Sequence, residues 1–501
     1  MHKNISGGIN MLSIHLDQRS GKPLYNQIYE QIREQILTGE LTASTKLPST
    51  RSMAGNLGVS RNTVDTAYYQ LQSEGYIDAA PKSGFYVCAL TPVDYRTKPA
   101  VPVPENTTGS TDTADDASET LDKPAFLYDF DPYSIDISHF PFSVWRRLSR
   151  QVLMDDHSLF LLGDNRGDQA LRSAICSYVR MSRQVTCTPD QVIVGAGVDY
   201  LLQMLSLVFQ SSSMNNITLE SPGYTQAAHI FHNNGLTVTP GTMDKSGLST
   251  SSIAPESSIV YVTPSHQFPL GTVMPYGRRV ELLTWAKASA DRYIIEDDHD
   301  SEFRYRGKPI PALQGMDDEN RVIYIGTFSK AIAPAIRVGY MILPPELLKR
   351  YEQICGHYSC TVSRVDQAIL THFLCEGYFE KHVNRMRKIY RSKHDLILEC
   401  MQPLIDRYGL TLQGEHAGMH ITIFLPEHIN EQSLIKNATA QGIHLYGIES
   451  HYLPQHPEKL RQQAILLGYS ALTEDEIKKG VHLMVDTHIF DQSSSSARFL
   501  S

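Results

Sequence analysis

Tryptophan is nearly absent from this chain of 501 residues, which has two, and cysteine is sparse, with seven at positions 88, 176, 187, 355, 360, 375 and 400. None of those cysteines forms a Cys-x-x-Cys pair or stands at metal-ligand spacing from a histidine, which argues against a zinc ribbon or finger. Their odd number, and the missing apolar core in the opening MHKNISGGIN, argue against a secreted disulfide scaffold. Free, mostly buried thiols in a reducing cytoplasm are expected instead. No apolar run reaches the roughly 18 residues that cross a bilayer. An excess of basic charge is lacking too: 45 Lys and Arg against 54 Asp and Glu leave a formal charge of −9. Such a chain does not coat nucleic acid through bulk charge, although a small DNA-reading module needs only one basic face. No internal repeat is visible.

What is present is ordinary for a globular protein with a large core: 41% hydrophobic and 20% charged residues. The length exceeds that of one ordinary domain. Between Thr91 and Lys123 the composition shifts to TPVDYRTKPAVPVPENTTGSTDTADDASETLDK, rich in Pro, Thr, Ser and Asp. A segment so poor in apolar side chains cannot offset its own ordering entropy. Residues 89–126 therefore read as a flexible linker between a domain over 11–88 and a larger one over 127–490, with 491–501 a disordered tail.

In the first domain, Ile28, Ile32 and Ile36 recur every fourth residue, the face of a helix over Leu24–Leu37. A second helix is expected over Thr50–Leu57, ending at Gly58. Ser60 is placed to cap a third, with Val64, Ala67, Tyr68 and Leu71 facing the core and Gly75 ending it. YIDAAPKSGFYV then reads as a hairpin with a Pro-Lys-Ser-Gly turn. Three helices and a wing describe a winged helix-turn-helix. Lys46, Arg51 and Arg61 fall in 41–64, which holds no acidic residue. Ser60, Arg61, Asn62 and Thr63 open the third helix, where side chains and the positive helix end can meet base edges and phosphates. Lys82 and Gly84 occupy the wing tip.

Beyond the linker, apolar runs (QVIVGAG, NNITLE, SIVYVTP, RYIIEDDHD, RVIYIGT) alternate with amphipathic stretches, implying a mainly parallel sheet covered on both faces. A long helical run, RVDQAILTHFLCEGYFEKHVNRMRKIYRSKHDLILECM, and later strand patterns imply a smaller α+β part at the C-terminal end. RVIYIGT runs into Phe-Ser-Lys330, and a helix or loop follows to Arg337, both charged residues standing in apolar sequence. A lysine amine in a desolvated site has a lowered pKa and attacks aldehydes. Pyridoxal 5′-phosphate (PLP) is the common aldehyde partner. Holding it requires a phosphate cradle, a carboxylate for the pyridine nitrogen and an aromatic ring against its face.

Each part has a candidate. Gly195-Ala196-Gly197 in VIVGAGVDYLL is a strand–turn–helix junction whose backbone N–H groups suit a phosphate. Tyr224 follows the tight turn of ESPGY. Asp297 stands at the carboxyl end of an apolar strand, the end at which open α/β sheets bind ligands. Thr327, Ser329 and Arg337 complete a phosphate site. Taken singly, each of these is as compatible with core packing; their order on an α/β pattern points to one cofactor site.

LPSTRSMAGNLGVSRNTVDTAYYQLQSEGYIDAAPKSGFYV resembles the GntR-family winged helix along its whole length. The resemblance implies DNA contacts at Arg51, Arg61, Asn62, Thr63 and Gly84, which join Lys46, Ser60 and Lys82 in the candidate DNA-binding set. Asp65 falls where some relatives carry another basic residue. Residues 127–490 are similar to fold-type I, class I aminotransferases, with TPSHQFPLG, IIEDDHDSEFRY and GTFSKAIAPAIRVGY in family order. The whole chain resembles the MocR/GabR family of PLP-dependent transcription regulators. That implies a Schiff base between PLP and Lys330, with Asp297 on the ring nitrogen and Tyr224 stacked on the ring. Arg337, Thr327, Ser329 and the Gly195–Gly197 turn hold the phosphate. It also implies operator DNA as a partner, PLP or an amino compound as the sensed ligand, and a homodimer.

The sequence departs from the family at several positions. His299 replaces the usual tyrosine that bonds the cofactor's 3′ oxygen, and an imidazole there is expected to vary its charge near neutral pH. Phe268 stands where aminotransferases commonly have asparagine, as is usual in the regulators. No arginine occupies QAILLGYSAL, where an α-carboxylate clamp is expected; Arg461 is the nearest. Gln226 replaces an arginine of GABA-responsive relatives, which argues against GABA as the effector. Two alternatives remain: an active aminotransferase carrying a regulatory DNA-binding head, and a DNA-binding protein whose second domain has lost its cofactor.

Overall fold

The computed structural model describes residues 14–17, 21–80, 83–89, 126–305, 311–414 and 417–491. Lys82, most of the expected linker and nearly all of the expected tail lie outside them. The chain divides into two compact units, one up to Glu119 and the other from Thr120.

In the first unit the four-residue apolar spacing produces α1 (Leu24–Leu37), which buries Ile28, Ile32 and Ile36. The second helix, α2 (Thr50–Leu57), starts at Ser49, whose side chain accepts from the Ser52 N–H, and stops at Gly58 with φ 63°. Ser60 caps α3 (Arg61–Ser73) by accepting from the Thr63 N–H at 3.2 Å. Val64, Ala67, Tyr68 and Leu71 face inward, and burying an aliphatic side chain the size of Val64 or Leu71 contributes about 2 kcal/mol. Tyr68 also donates from its hydroxyl to the Pro48 carbonyl at 3.0 Å, and its ring meets Phe85 edge-on. That contact ties the helices to the wing, in which β1 (Ile77–Ala80) pairs antiparallel with β2 (Gly84–Val87). Lys46 makes a further bridge to Tyr86 and extends its amine over that ring.

The second unit opens with the short β3 (Tyr128–Asp129), α4 (Phe142–Asp155) and α5 (Gln169–Arg183). Its main sheet contains β4 (Val192–Gly195), β5 (Asn216–Ser221), β6 (Thr237–Asp244), β7 (Gly247–Leu248), β8 (Ile259–Val262), β9 (Tyr293–Asp298), β10 (Val322–Thr327) and β11 (Gly339–Ile342). The spatial order is β4-β11-β10-β9-β8-β5-β6-β7. The run from β6 through β5, β8 and β9 to β10 is parallel, and β11 lies antiparallel to both β10 and β4. The carboxyl ends of β4, β5, β8, β9 and β10 therefore share one edge. Register sharpens this: Gly195 is opposite Gly339, and Gly339 is opposite Thr327. Residues far apart in sequence are thereby level across the sheet.

Helix α6 (Val198–Gln210) follows β4, and α7 (Thr225–Asn233) follows β5. Both press apolar faces onto the sheet, with Leu201, Leu205, Phe209 and Phe231 in one buried cluster. The long helical run predicted from sequence is two helices, Arg364–Cys375 and Tyr378–Tyr408. Gly377 separates them with φ 73°, a left-handed conformation that glycine adopts without strain. After them come β12 (Thr411–Gln413), β13 (His420–Phe424), β14 (Ile443–His444), β15 (Tyr446–Gly447) and β16 (Ala464–Gly468). β12, β13, β16 and β15 form a separate antiparallel sheet, the smaller α+β part, while β14 pairs with β3.

Candidate cofactor site and DNA-reading face

At the shared edge of the main sheet lies a cavity of about 200 Å³ lined by Tyr133, Val198, Asp199, Tyr224, Thr263, Phe268, Asp297, His299, Thr327, Ser329, Lys330, Pro334 and Arg337. Lys330 follows β10 and leads into a loop with one short turn at Pro334–Ile336, so the stretch to Arg337 is loop rather than helix. The Lys330 Nζ sits 5.7 Å from the centre of the Phe268 ring and 6.0 Å from that of Tyr133. Burial lowers its pKa, and Asp300, Asp131 and Asp297 pull it back in part.

Asp297 comes in from β9. The Tyr261 hydroxyl donates to its Oδ2, while Oδ1 is buried with no hydrogen-bond partner. Burial pushes this carboxyl up to about 7 despite the Tyr261 bond. A buried, half-satisfied carboxylate at that pKa is suited to meet a protonated ring nitrogen. His299 also faces the cavity, with Nε2 3.4 Å from Asp300 Oδ1. The expectation that its charge varies near neutrality does not hold. Burial first drives its pKa down to about 4, with Lys330 and His266 adding to it against the opposing pull of Asp300, so the imidazole is neutral near pH 7.

Around Gly195–Gly197 the geometry differs from the simple cradle that sequence suggests. The Ala196 N–H donates to Thr361 Oγ1 at 3.0 Å and the Gly197 N–H to the Gly195 carbonyl at 2.8 Å. The donors left for an anion are those in the first turn of α6, beginning at Val198 and Asp199, which line the cavity. Gly197 acts by its lack of a side chain. Its φ is 89°, and a Cβ there would lie 2.7 Å from Arg337 Nη2. Arg337 is not buried in apolar surroundings, as its sequence neighbours suggest; its side chain is 53% exposed and reaches Asp199 Oδ2 at 3.3 Å. Asp199 also accepts from the Tyr224 hydroxyl at 3.4 Å, so it fixes the guanidinium beside the ring. Ser329 Oγ is buried without a partner, and the Ser329 N–H donates to Thr327 Oγ1 at 3.1 Å.

These features fit PLP: an orphan carboxylate oxygen for the ring nitrogen, an orphan hydroxyl and a guanidinium for the phosphate, and an amine in reach of the carbonyl. Asp199, Tyr133 and Thr263 escaped the sequence reading. A carboxylate two residues beyond a glycine turn carries no signal that it will clamp an arginine 138 positions away. Arg461 does not belong here. It pairs with Glu449 at 2.6 Å and lines a separate cavity with His456 and Gln462. Gln226 is exposed and outside the cavity lining.

On the first unit, Lys46, Arg51, Ser60, Arg61 and Asn62 are exposed, while Thr63 and Gly84 are partly so. Gly84 has φ 109°, and a Cβ there would stand 3.5 Å from Lys46 Cε. The Nε of Arg61 lies 3.4 Å from Asp65 Oδ2.

A winged helix followed by an aminotransferase fold with a buried lysine in its cavity defines a class of PLP-dependent DNA-binding regulators. Residues 24–87 match the bacterial regulatory proteins of the gntR family, and 132–482 match aminotransferase class I and II. The chain is 39% identical to the uncharacterized HTH-type transcriptional regulator YdeL of Bacillus subtilis, over 92% of this chain and 95% of that one. It is 34% identical to the probable rhizopine catabolism regulatory protein MocR of Rhizobium meliloti, over 96% and 97%. The second unit shares its fold with a multiple substrate aminotransferase from Thermococcus profundus, with a TM-score of 0.65 and 24% identity over 73% of this chain and 92% of that one. The chain belongs to the MocR-type family of transcription regulators, which join a GntR winged helix to a PLP-dependent aminotransferase-like domain.

Gly197→Ala tests the cradle. The added methyl group strains a positive φ and displaces Arg337, so PLP affinity, followed by titration of the visible absorbance, is expected to fall at least ten-fold. Unchanged affinity would mean that Arg337 does not hold the phosphate from this position.

Proposed function

We propose that the Lys330 cavity is a sensor: occupancy by PLP, or by PLP exchanged onto an amino compound, is read out as occupancy of operator DNA. The observation that carries this reading is the presence, on one chain, of a winged helix whose third helix is capped by Ser60 and opens on Arg61, and of the Lys330–Asp297–Arg337 cavity. PLP, when bound, supplies an aldehyde that captures primary amines. The chain's own residues hold and tune it. Lys330 presents an amine whose proton is loosened by burial, and Asp297 holds the ring nitrogen. Neutral His299 donates to the 3′ oxygen, and Tyr224 covers one face. Arg337, Thr327, Ser329 and the α6 N-terminus orient the phosphate. Arg51, Arg61, Asn62 and Thr63 meet the operator, with Lys46, Ser60 and Gly84 beside them.

We further infer a homodimer. Met154, Phe160, Leu161 and Leu162 of the second unit are 72%, 71%, 69% and 89% exposed, and clustered apolar exposure favours burial against a partner of the same kind. Two winged helices then read a repeated operator.

The test screens PLP alone and amino acids of both enantiomers, following absorbance and operator affinity together. A ligand that changes both is expected. Sustained turnover with a keto acid, with no ligand altering DNA affinity, would favour the aminotransferase reading instead.

A further inference from the structure

The recognition helix carries a charge pattern that neither helix stability nor bulk attraction to DNA explains. Arg61 occupies the first position of α3, which puts a cation at the positive end of the helix dipole, the unfavourable end. Its Nε lies 3.4 Å from Asp65 Oδ2, and the two side chains are 68% and 44% exposed. A base four residues before an acid is the weaker orientation of such pairs, and exposed pairs add little to folding. Asp65 is the only acidic residue of α3, and 41–64 before it holds none. It shares the outward side of the helix with Arg61 and Tyr69, at four-residue spacing. An acid on that side is repelled by phosphates, so affinity for DNA as a polyanion does not account for it.

We propose that Asp65 is a positioning and specificity residue for DNA reading: its carboxylate holds the Nε of Arg61, so that the terminal guanidinium nitrogens meet O6 and N7 of one guanine in the major groove. The proposal rests on α3 being the DNA-reading helix, as inferred above. A guanidinium has five N–H donors in a fixed plane, and engaging Nε leaves the two terminal nitrogens as a fork of the right geometry for guanine. Holding that fork before binding removes part of the side-chain entropy that ordering it on DNA costs. Without the carboxylate, Arg61 is free to swing to the backbone, where every sequence looks alike. The acid also discourages phosphate contact by its own charge. Asp65 thus exchanges general affinity for discrimination.

The experiment selects binders from a duplex library with the full-length, PLP-loaded protein and its Asp65→Ala, Asp65→Asn and Arg61→Ala variants. Affinity for the selected operator, for operators altered at each guanine and for random-sequence duplex is then measured against salt. Asp65→Ala and Asp65→Asn are expected to lose about ten-fold or more of the preference for one particular guanine, the same one lost in Arg61→Ala. They should bind random duplex as tightly as the wild type or tighter, with a salt slope steeper by about one contact per head. Retained visible absorbance and an unchanged thermal midpoint establish that the variants fold. If both Asp65 variants change binding to all duplexes by one factor and keep every base preference, Asp65 positions nothing and the proposal fails. If Arg61→Ala binds the operator as the wild type does, the fault lies in the assignment of α3, and the proposal falls with it.

Discussion

Lys330→Ala is expected to abolish completely the visible absorbance that survives dialysis of the PLP-loaded protein and to leave operator binding unresponsive to ligand, while the winged helix still binds DNA. The cavity explains why the loss should be total. Apart from Lys330 and Arg337, its lining carries no amine or guanidinium, and Arg337 is committed to Asp199 and the phosphate side. PLP would retain its non-covalent contacts with Asp297, Ser329 and Arg337 and remain dialysable. The Lys330 pKa sets the pH behaviour. Capture requires the neutral amine, and burial lowers this pKa below the ordinary value near 10.4. The rate of PLP capture by the apoprotein is therefore expected to rise with pH and level off at a lower pH than it does for a lysine in water. Absorbance that persists in Lys330→Ala after dialysis would move the reactive amine elsewhere. A ligand response that survives in full would separate sensing from the lysine.

The elements legible in the sequence are those whose periodicity is local. Ile28, Ile32 and Ile36 announce α1, and Ser60 with Gly75 bounds α3, because capping and burial there depend on residues within a turn or two. The same holds for the strands that end at Asp298 and Thr327. What was not legible depends on residues distant in sequence. The Ala196 N–H is taken by Thr361, 165 positions away, so the glycine turn serves as clearance for Arg337 more than as a cradle of donors. The neutrality of His299 follows from its burial near Lys330 and His266, which no local pattern reveals. Arg337 reads as buried because its neighbours are apolar, yet its loop carries the side chain outward to Asp199. Arg461 reads as a carboxylate clamp from its place near β16, but the chain turns it toward Glu449.

Arg61→Ala is expected to abolish specific operator binding while the absorbance of bound PLP stays unchanged. A bidentate arginine–guanine contact discriminates by about 1–3 kcal/mol, and the proposed homodimer, with two heads on one operator, would lose it twice, roughly 2–6 kcal/mol. That corresponds to a drop of about 30-fold to more than 10⁴-fold in specific affinity, which at the upper end leaves only non-specific binding. Folding should be unaffected, because the Arg61 side chain is 68% exposed and its sole ion pair among the described residues is the exposed one with Asp65. The contrast with Lys46→Ala separates base reading from phosphate attraction. Lys46 is exposed beside the wing, with its amine over the Tyr86 ring. Its loss should weaken binding to all sequences alike and make the salt dependence shallower by about one contact per head. Arg61→Ala should instead flatten the preference between operator and random duplex. Equal losses on both duplexes in Arg61→Ala would make Arg61 a phosphate contact, and base reading would then have to reside in Asn62, Thr66 or Tyr69 on the same outward side of α3.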